Sequence, residues 1–276
     1  MYLNCHSYYS LRYGTMSVEQ LVLKAVAASA ETIVLTDINN STAIPDFAAE
    51  CRKNGVRPVA GIEFRNDNEL LYIAIARNNR GLREINEFLS DHNISKTAIP
   101  FPAPRFSEAY TIYSLKKTPS RDLFDNERTG IKPKDLNRLI SLDSSFKKNR
   151  MVLLHPVTYS EPGDIFIHRN LRAVDNNILL SHLKPSQCAD EDEFFRDPVY
   201  FENIQKEYPW LPENTTKLIN DCELCFDSES LKNKKVYSAS HMMISCFSGS
   251  LHGTVWYTGT EEKILRQKNA SNMSLP

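Results

Sequence analysis

Thr32–Thr36 reads TIVLT, a short apolar, β-branched run with a helical pattern on each side, and nothing else in the chain constrains its fold as much. A strand without a polar face has to be covered on both sides, which is how strands of a parallel α/β sheet are buried. The flanks agree. Residues 17–30 carry Leu21, Ala25 and Ala28 at helical spacing, and Ser17 with Gln20 makes a capping box at their start. On the far side, Pro45 suits the first turn of a helix running to about Lys53. Asn54-Gly55 ends that helix, Gly55 being free to take the left-handed conformation.

The same alternation continues. Pro58–Phe64 and Leu70–Ala76 are apolar runs, and Asn79–Leu89 places Leu82, Ile85, Phe88 and Leu89 on one helical stripe. Further strands are expected at Tyr110–Leu115 and Met151–Leu154. Strands regularly followed by helices predict an α/β fold with a mostly parallel sheet or barrel. Lys116–Arg150 is polar and reads as a surface excursion with a short helix around Lys134–Leu142. Asp190–Asp227 reads as helical, with Asp190, Glu191, Asp192 and Glu193 at a helix start and Pro212 opening a later helix through Leu218, Ile219 and Cys222. Residues 236–276 hold no sustained period, so the expected organisation is one domain over 1–235 and a poorly organised tail over 236–276.

Composition narrows the function classes. With 276 residues and 41% hydrophobic content, the chain can bury a sizeable core without disulfide or metal staples. Its net charge of −1 provides no global basic field, which argues against this piece gripping DNA strongly by itself. The N-terminus MYLNCHSYYSLRYG has no apolar core of a secretory signal, and no stretch approaches a membrane span. Six scattered cysteines, Cys5, Cys51, Cys188, Cys222, Cys225 and Cys246, fit a reduced cytoplasmic protein. Cys222 and Cys225 have zinc or redox spacing but no second pair, and inside a helix they read as two small core residues.

Three segments carry a resemblance. LNCHSYYSLRYG (Leu3–Gly14) is similar to the first PHP motif, His-x-His followed by Ser-x-Tyr-Ser and Asp-Gly. LTDINN (Leu35–Asn40) resembles the second, Thr-Asp-His-Gly-Asn, and PVAGIEF (Pro58–Phe64) resembles the third, a strand ending in Gly-x-Glu. The linking segments LLYIAIARNNRGLREINEFLS and PENTTKLINDCELCF resemble the PHP region of bacterial replicative DNA polymerase III alpha subunits, in the same order over roughly residues 1–235. The wording is most similar to alpha subunits of the Bacteroidetes group.

The resemblance implies a distorted TIM-like barrel of seven β/α units, cut off before the polymerase domain, and a place in DNA replication. It implies partners too: the remainder of a polymerase alpha subunit or a proofreading exonuclease subunit, with DNA reached only through the complete polymerase and no membrane contact. An active PHP domain holds up to three metal ions that activate water and clamp phosphate oxygens. This sequence departs from that pattern. Asn4 stands at the first His position, Tyr13 at the Asp before Gly14, Ile38 at the His of the second motif and Leu71 at a further His. In HPVTYS, Pro156 and Thr158 stand at an Asp and a His position.

What remains of the family's metal ligands is His6, Asp37 and Glu63. That set implies no resident cofactor, or at most one weakly bound divalent ion. The expected role is a noncatalytic structural or partner-binding domain with a degenerate metal site. The rival readings are a free-standing metal-dependent PHP phosphoesterase or 3′–5′ exonuclease, and a truncated or frameshifted gene product. His155 and His168 read as structural histidines. The Asp190–Glu193 run reads as a helix start rather than a carboxylate set.

Overall fold

The computed structural model describes residues 2–141 and 148–225. Strand β1 (Tyr2–Cys5) leads through a turn-rich segment to helix α1 (Val18–Ala27). Strand β2 (Thr32–Leu35), helix α2 (Ile44–Lys53), strands β3 (Arg57–Asn66) and β4 (Glu69–Ala76) and helix α3 (Asn79–Ser95) follow. The second half adds β5 (Ala109–Ser114), β6 (Glu127–Ile131), β7 (Met151–Leu153), β8 (Pro156–Val157) and helices α4 (Ile165–Asp175), α5 (Pro198–Glu207) and α6 (Trp210–Asn220).

One sheet takes all eight strands, in the order β7-β6-β5-β4-β3-β2-β1-β8. It is parallel except around β4, which runs against both β3 and β5. The edge strands β7 and β8 are separated in sequence only by Leu154 and His155, so a single run of chain lies on β6 at one end and on β1 at the other. The sheet is therefore curled as in a PHP-like α/β barrel. The seven-strand expectation meets eight strands because this last strand is broken in two.

The two faces of the sheet sort the core. Val34, Val59, Ile73, Ile75, Ile112 and Val152 cluster with Leu218 and Ile219 of α6 and with Cys222 just beyond it, filling the inside of the curl. Ile33, Leu35 and Ala60 pack instead with Leu21, Val22 and Ala25 of α1 and Phe47 and Cys51 of α2. Ile62, Phe64, Tyr72 and Ala74 pack with Ile85 and Leu89 of α3. This period of two separates Val34 from its neighbours and makes the TIVL strand apolar on both faces.

Local signals are met as read. The Ser17–Gln20 capping box is present in both directions, Pro45 lies in the first turn of α2, and Gly55 has φ of +70°. Gly61 answers a different need: a Cβ there would stand 2.0 Å from the Ala74 carbonyl oxygen across the β3–β4 pair. Gly61→Ala must push these two strands apart, so a loss of about 1–3 kcal/mol is expected in urea unfolding. Stability equal to that of the parent chain would show that the strands yield freely.

Three regions differ from the sequence reading. Strand β6 lies inside the supposed surface excursion, because its Glu127 and Thr129 are polar yet buried, Glu127 by its pairing with Arg121 and Tyr113. The segment expected as a helix around Lys134–Leu142 is a 3-10 run, Pro133–Ser141. Asp190–Glu193 does not begin a helix: it is a turn whose Asp190 and Glu193 carboxylates pair with Lys132, and α5 starts only at Pro198. Cys222 is buried after α6 and Cys225 is exposed, both free thiols. Among the described residues no helix is long and apolar enough to cross a membrane. The proposed boundary at 235 and the tail 236–276 lie outside the described residues.

Candidate functional site

Strand geometry brings the motif residues to one mouth of the curl. His6 follows the last residue of β1, Asp37 lies just beyond β2, and Glu63 sits on β3, where its amide donates to the Asp37 carbonyl at 3.2 Å. Thr158 follows β8 beside them. These are the C-terminal ends of parallel strands, where barrel sites are built. All four side chains are buried.

Glu63 is the hub. Arg65, two residues on along the same strand, donates from Nε to Glu63 Oε1 at 2.5 Å. Asn4 Nδ2 donates to Oε2 at 2.7 Å, and His6 Nε2 lies 3.1 Å from the same oxygen. Burial alone would raise this carboxyl, but Arg65 and then His6 overcome it and hold the group well below the usual carboxylate range. The Arg65 guanidinium also lies 4.3 Å from the centre of the Tyr13 ring and donates from Nη2 to the Tyr13 hydroxyl at 3.1 Å.

From His6 the network continues away from Glu63. His6 Nδ1 lies 3.0 Å from Thr158 Oγ1, and Thr158 Oγ1 donates to Glu193 Oε2 at 2.7 Å. Thr158 has a single proton and gives it to Glu193, so His6 Nδ1 is the donor to Thr158. Lys132 Nζ reaches Glu193 at 3.1 Å and Asp190 at 2.9 Å, and Lys134 also pairs with Asp190. Burial would raise Glu193, yet Lys132 and His6 keep it below its ordinary value. The network therefore alternates acid and base: Arg65, Glu63, His6, Thr158, Glu193, Lys132, Asp190.

Asp37 spends its oxygens differently. Oδ1 accepts from the Ser7 amide and Ser10 Oγ, and Oδ2 from Ser7 Oγ, each at 2.7 Å. Burial raises its carboxyl, and these three bonds oppose the shift only in part. The carboxylate fastens the Ser7–Ser10 turn to the end of β2.

The sequence-derived ligands thus divide. His6 and Glu63 touch each other, whereas Asp37 is turned onto the serine turn. Among the described residues no group of three or more His, Cys, Asp or Glu side chains is arranged to hold a metal ion. The metal that the resemblance implies does not fit this donor set, because the Glu63 oxygens accept from Arg65 and Asn4 and lie against the His6 ring, and the Asp37 oxygens accept from serines. Leu71 is a core residue under α3, and Pro156 is paired with Asn4 in the sheet.

His168 of α4, fully buried, donates from Nδ1 to the Tyr13 carbonyl at 2.7 Å and accepts at Nε2 from the Ala189 amide at 2.8 Å. His155 is buried with Nε2 2.9 Å from the Phe194 carbonyl. Both are structural, as their sequence context suggests. Sequence reasoning missed Arg65, Lys132 and Glu193 as members of the site. For Arg65 a signal existed: residues i and i+2 on a strand share a face.

Comparison with known proteins gives a family match over part of the chain. The PHP domain model matches residues 3–132. Over those residues the chain is similar to a PHP domain. Its similarity to DNA polymerase III alpha subunits is distant: 23% identity over 261 residues to that of Ureaplasma parvum, covering 90% of this chain and 24% of the relative. The Staphylococcus aureus subunit is 29% identical over 93 residues, 33% of this chain and 9% of the relative. The chain thus spans a quarter or less of the length of these curated relatives. A solved structure from Bifidobacterium adolescentis, described as a candidate metal-dependent phosphoesterase, aligns over 74% of this chain and 94% of its own length at 12% identity, with a TM-score of 0.34.

Proposed function

We propose that this PHP domain is a noncatalytic scaffold within a DNA polymerase III alpha-type chain, serving DNA replication by supporting the polymerase portion or a proofreading exonuclease subunit rather than by hydrolysing phosphoesters. One observation carries the reading: the protein's own cations stand where a catalytic site would need metal. Arg65 neutralises Glu63, with the His6 ring against its other oxygen, and Lys132 neutralises Glu193. A hydrolytic metal site requires open coordination positions and a water that the metal can activate. Here the carboxylate oxygens end in hydrogen bonds to side chains of the same domain, so the mouth is a closed polar core with structural value.

The test is an assay of the whole chain on a chromogenic phosphodiester and on 3′-labelled oligonucleotides, with manganese, zinc or magnesium. No turnover above the metal-only blank is expected. Metal-dependent hydrolysis that disappears in His6→Ala would overturn the reading.

A further inference from the structure

The opposite mouth of the sheet is of a different character. There the strands begin, and their first residues bring arginines together. Arg77 follows the end of β4, Arg128 lies near the start of β6, Arg150 immediately precedes β7, and Arg105 precedes β5. The pairing of Ala76 with Ala109, of Thr111 with Glu127 and of Thr129 with Met151 makes these ends neighbours. The chain's net charge of −1 hides this local concentration.

We propose that this arginine-lined mouth binds the phosphate groups of a polynucleotide single strand. The proposal stands apart from the scaffold reading of the other mouth.

Charge comes first. Asp125, whose side chain is 97% exposed, bonds Arg150 at 2.7 Å and lies in the field of Arg105 and Arg128 as well. Asp221 takes Arg77 at 2.8 Å, and Glu108 acts on Arg77 from further off. Arg121 belongs with the buried Glu127, which it grips with both terminal nitrogens at 2.7 Å. Arg57 is held by the Ile219 and Cys222 carbonyls at the end of α6. That leaves Arg105 and Arg128 with positive charge that no carboxylate among the described residues meets directly. Arg128 Nη1 donates to the carbonyls of Asp125 and Glu127, and Arg105 lies against an aromatic ring. Burial and the adjacent Arg150 both make the Arg128 charge harder to hold. An entering phosphate would relieve that repulsion through charge-assisted, bidentate bonds that a planar guanidinium makes well.

The aromatic residues favour nucleic acid over a bare anion. Phe124, part exposed, has Arg105 5.0 Å and Arg121 4.1 Å from its ring centre. Tyr110 has Arg77 at 5.6 Å and Arg128 at 5.0 Å. Rings and guanidinium planes interleaved along a basic surface are what unpaired bases stack on while the backbone phosphates meet the cations. A duplex, whose bases are already stacked, would use only the charges.

Fluorescence anisotropy of a labelled oligothymidylate, titrated with the whole chain at low salt, tests this. Saturable binding is expected, with log K falling against log salt at a slope of about −2 for roughly three phosphates neutralised. Arg105→Gln and Arg150→Gln should each weaken binding by about fivefold or more. Asp125→Asn should tighten it, because it removes the carboxylate that competes with phosphate for Arg150, and a misfolded variant cannot give that result. Lys24→Gln, on α1, should change nothing. Competition identifies the source of the phosphate. Survival of the complex in excess thymidine monophosphate and inorganic phosphate points to the polynucleotide, whereas displacement by either at matching strength keeps the site but makes a free phosphate its ligand. No saturable binding of any of the three, or affinities unmoved by the Arg105, Arg150 and Asp125 variants, would overturn the proposal.

Discussion

Arg65→Met should destabilise the domain by about 3–5 kcal/mol, the usual loss when one partner of a buried ion pair is removed and the other is left charged. The stranded group would be Glu63, whose side chain is 1% exposed and whose Oε1 accepts from Arg65 alone among the described residues. Methionine fills much of the arginine's volume, so the loss would report charge rather than a cavity. His6 and Asn4 would still hold Oε2, which keeps the carboxylate from simply turning away.

The companion variant separates the causes. With Glu63→Gln added, no buried charge is stranded, and much of the loss should return, giving a coupling energy of about 2 kcal/mol in the double-mutant cycle. Urea unfolding followed by far-ultraviolet circular dichroism supplies all four stabilities. If Arg65→Met alone costs less than about 1 kcal/mol, Arg65 is an ordinary surface cation and the account of an internally neutralised site fails.

That outcome bears on why the sequence revealed some of this site and not the rest. TIVLT, the capping box and Gly55 were legible because each is a local rule: burial on both faces, reciprocal hydrogen bonds three residues apart, and a backbone conformation glycine favours. His6, Asp37 and Glu63 were legible through motif wording, and they do gather at one mouth. Their chemistry was not, because it depends on residues that meet them only in the fold. Lys132 and Glu193 join the network of His6, through Thr158, from chain segments far apart in sequence, after β6 and in the turn before α5. The acidic run was misread for the same reason: four acids in a row satisfy a helix dipole on paper, but for Asp190 and Glu193 the half-buried Lys132 is the stronger partner. β6 was missed because a strand carrying Glu127 and Thr129 looks like loop until Arg121 and Tyr113 are seen to satisfy the carboxylate. Polar positions buried by distant partners are where local pattern reading loses its grip.

His168 gives the second large effect, and its sign is set by its bonds. Nδ1 donates to the Tyr13 carbonyl and Nε2 accepts from the Ala189 amide, so the folded state holds one neutral tautomer. A proton on Nε2 would face the Ala189 N–H and break that bond. Burial is the main cause that pushes the group down to about 4, against an ordinary value of 6.5. Between these two values the unfolded chain binds a proton that the folded chain refuses, so stability is full above pH 6.5 and falls as the pH drops toward 4. The loss amounts to about 3 kcal/mol at the lower end, taking 1.36 kcal/mol per unit. His155 is depressed by burial too and adds to the fall, whereas Asp37, raised by burial, gains its proton more readily when folded and opposes it at the acid end. His168→Gln should lower stability at neutral pH, since a single amide cannot reproduce both ring bonds. The informative quantity is the slope. Over pH 7 to 5 the variant should lose stability less steeply than the parent, by up to one proton's worth, about 1.4 kcal/mol per pH unit. Parallel slopes for the two proteins, or a His168 ring resonance that titrates near pH 6.5 in the folded chain, would show that the buried ring accepts its proton without cost.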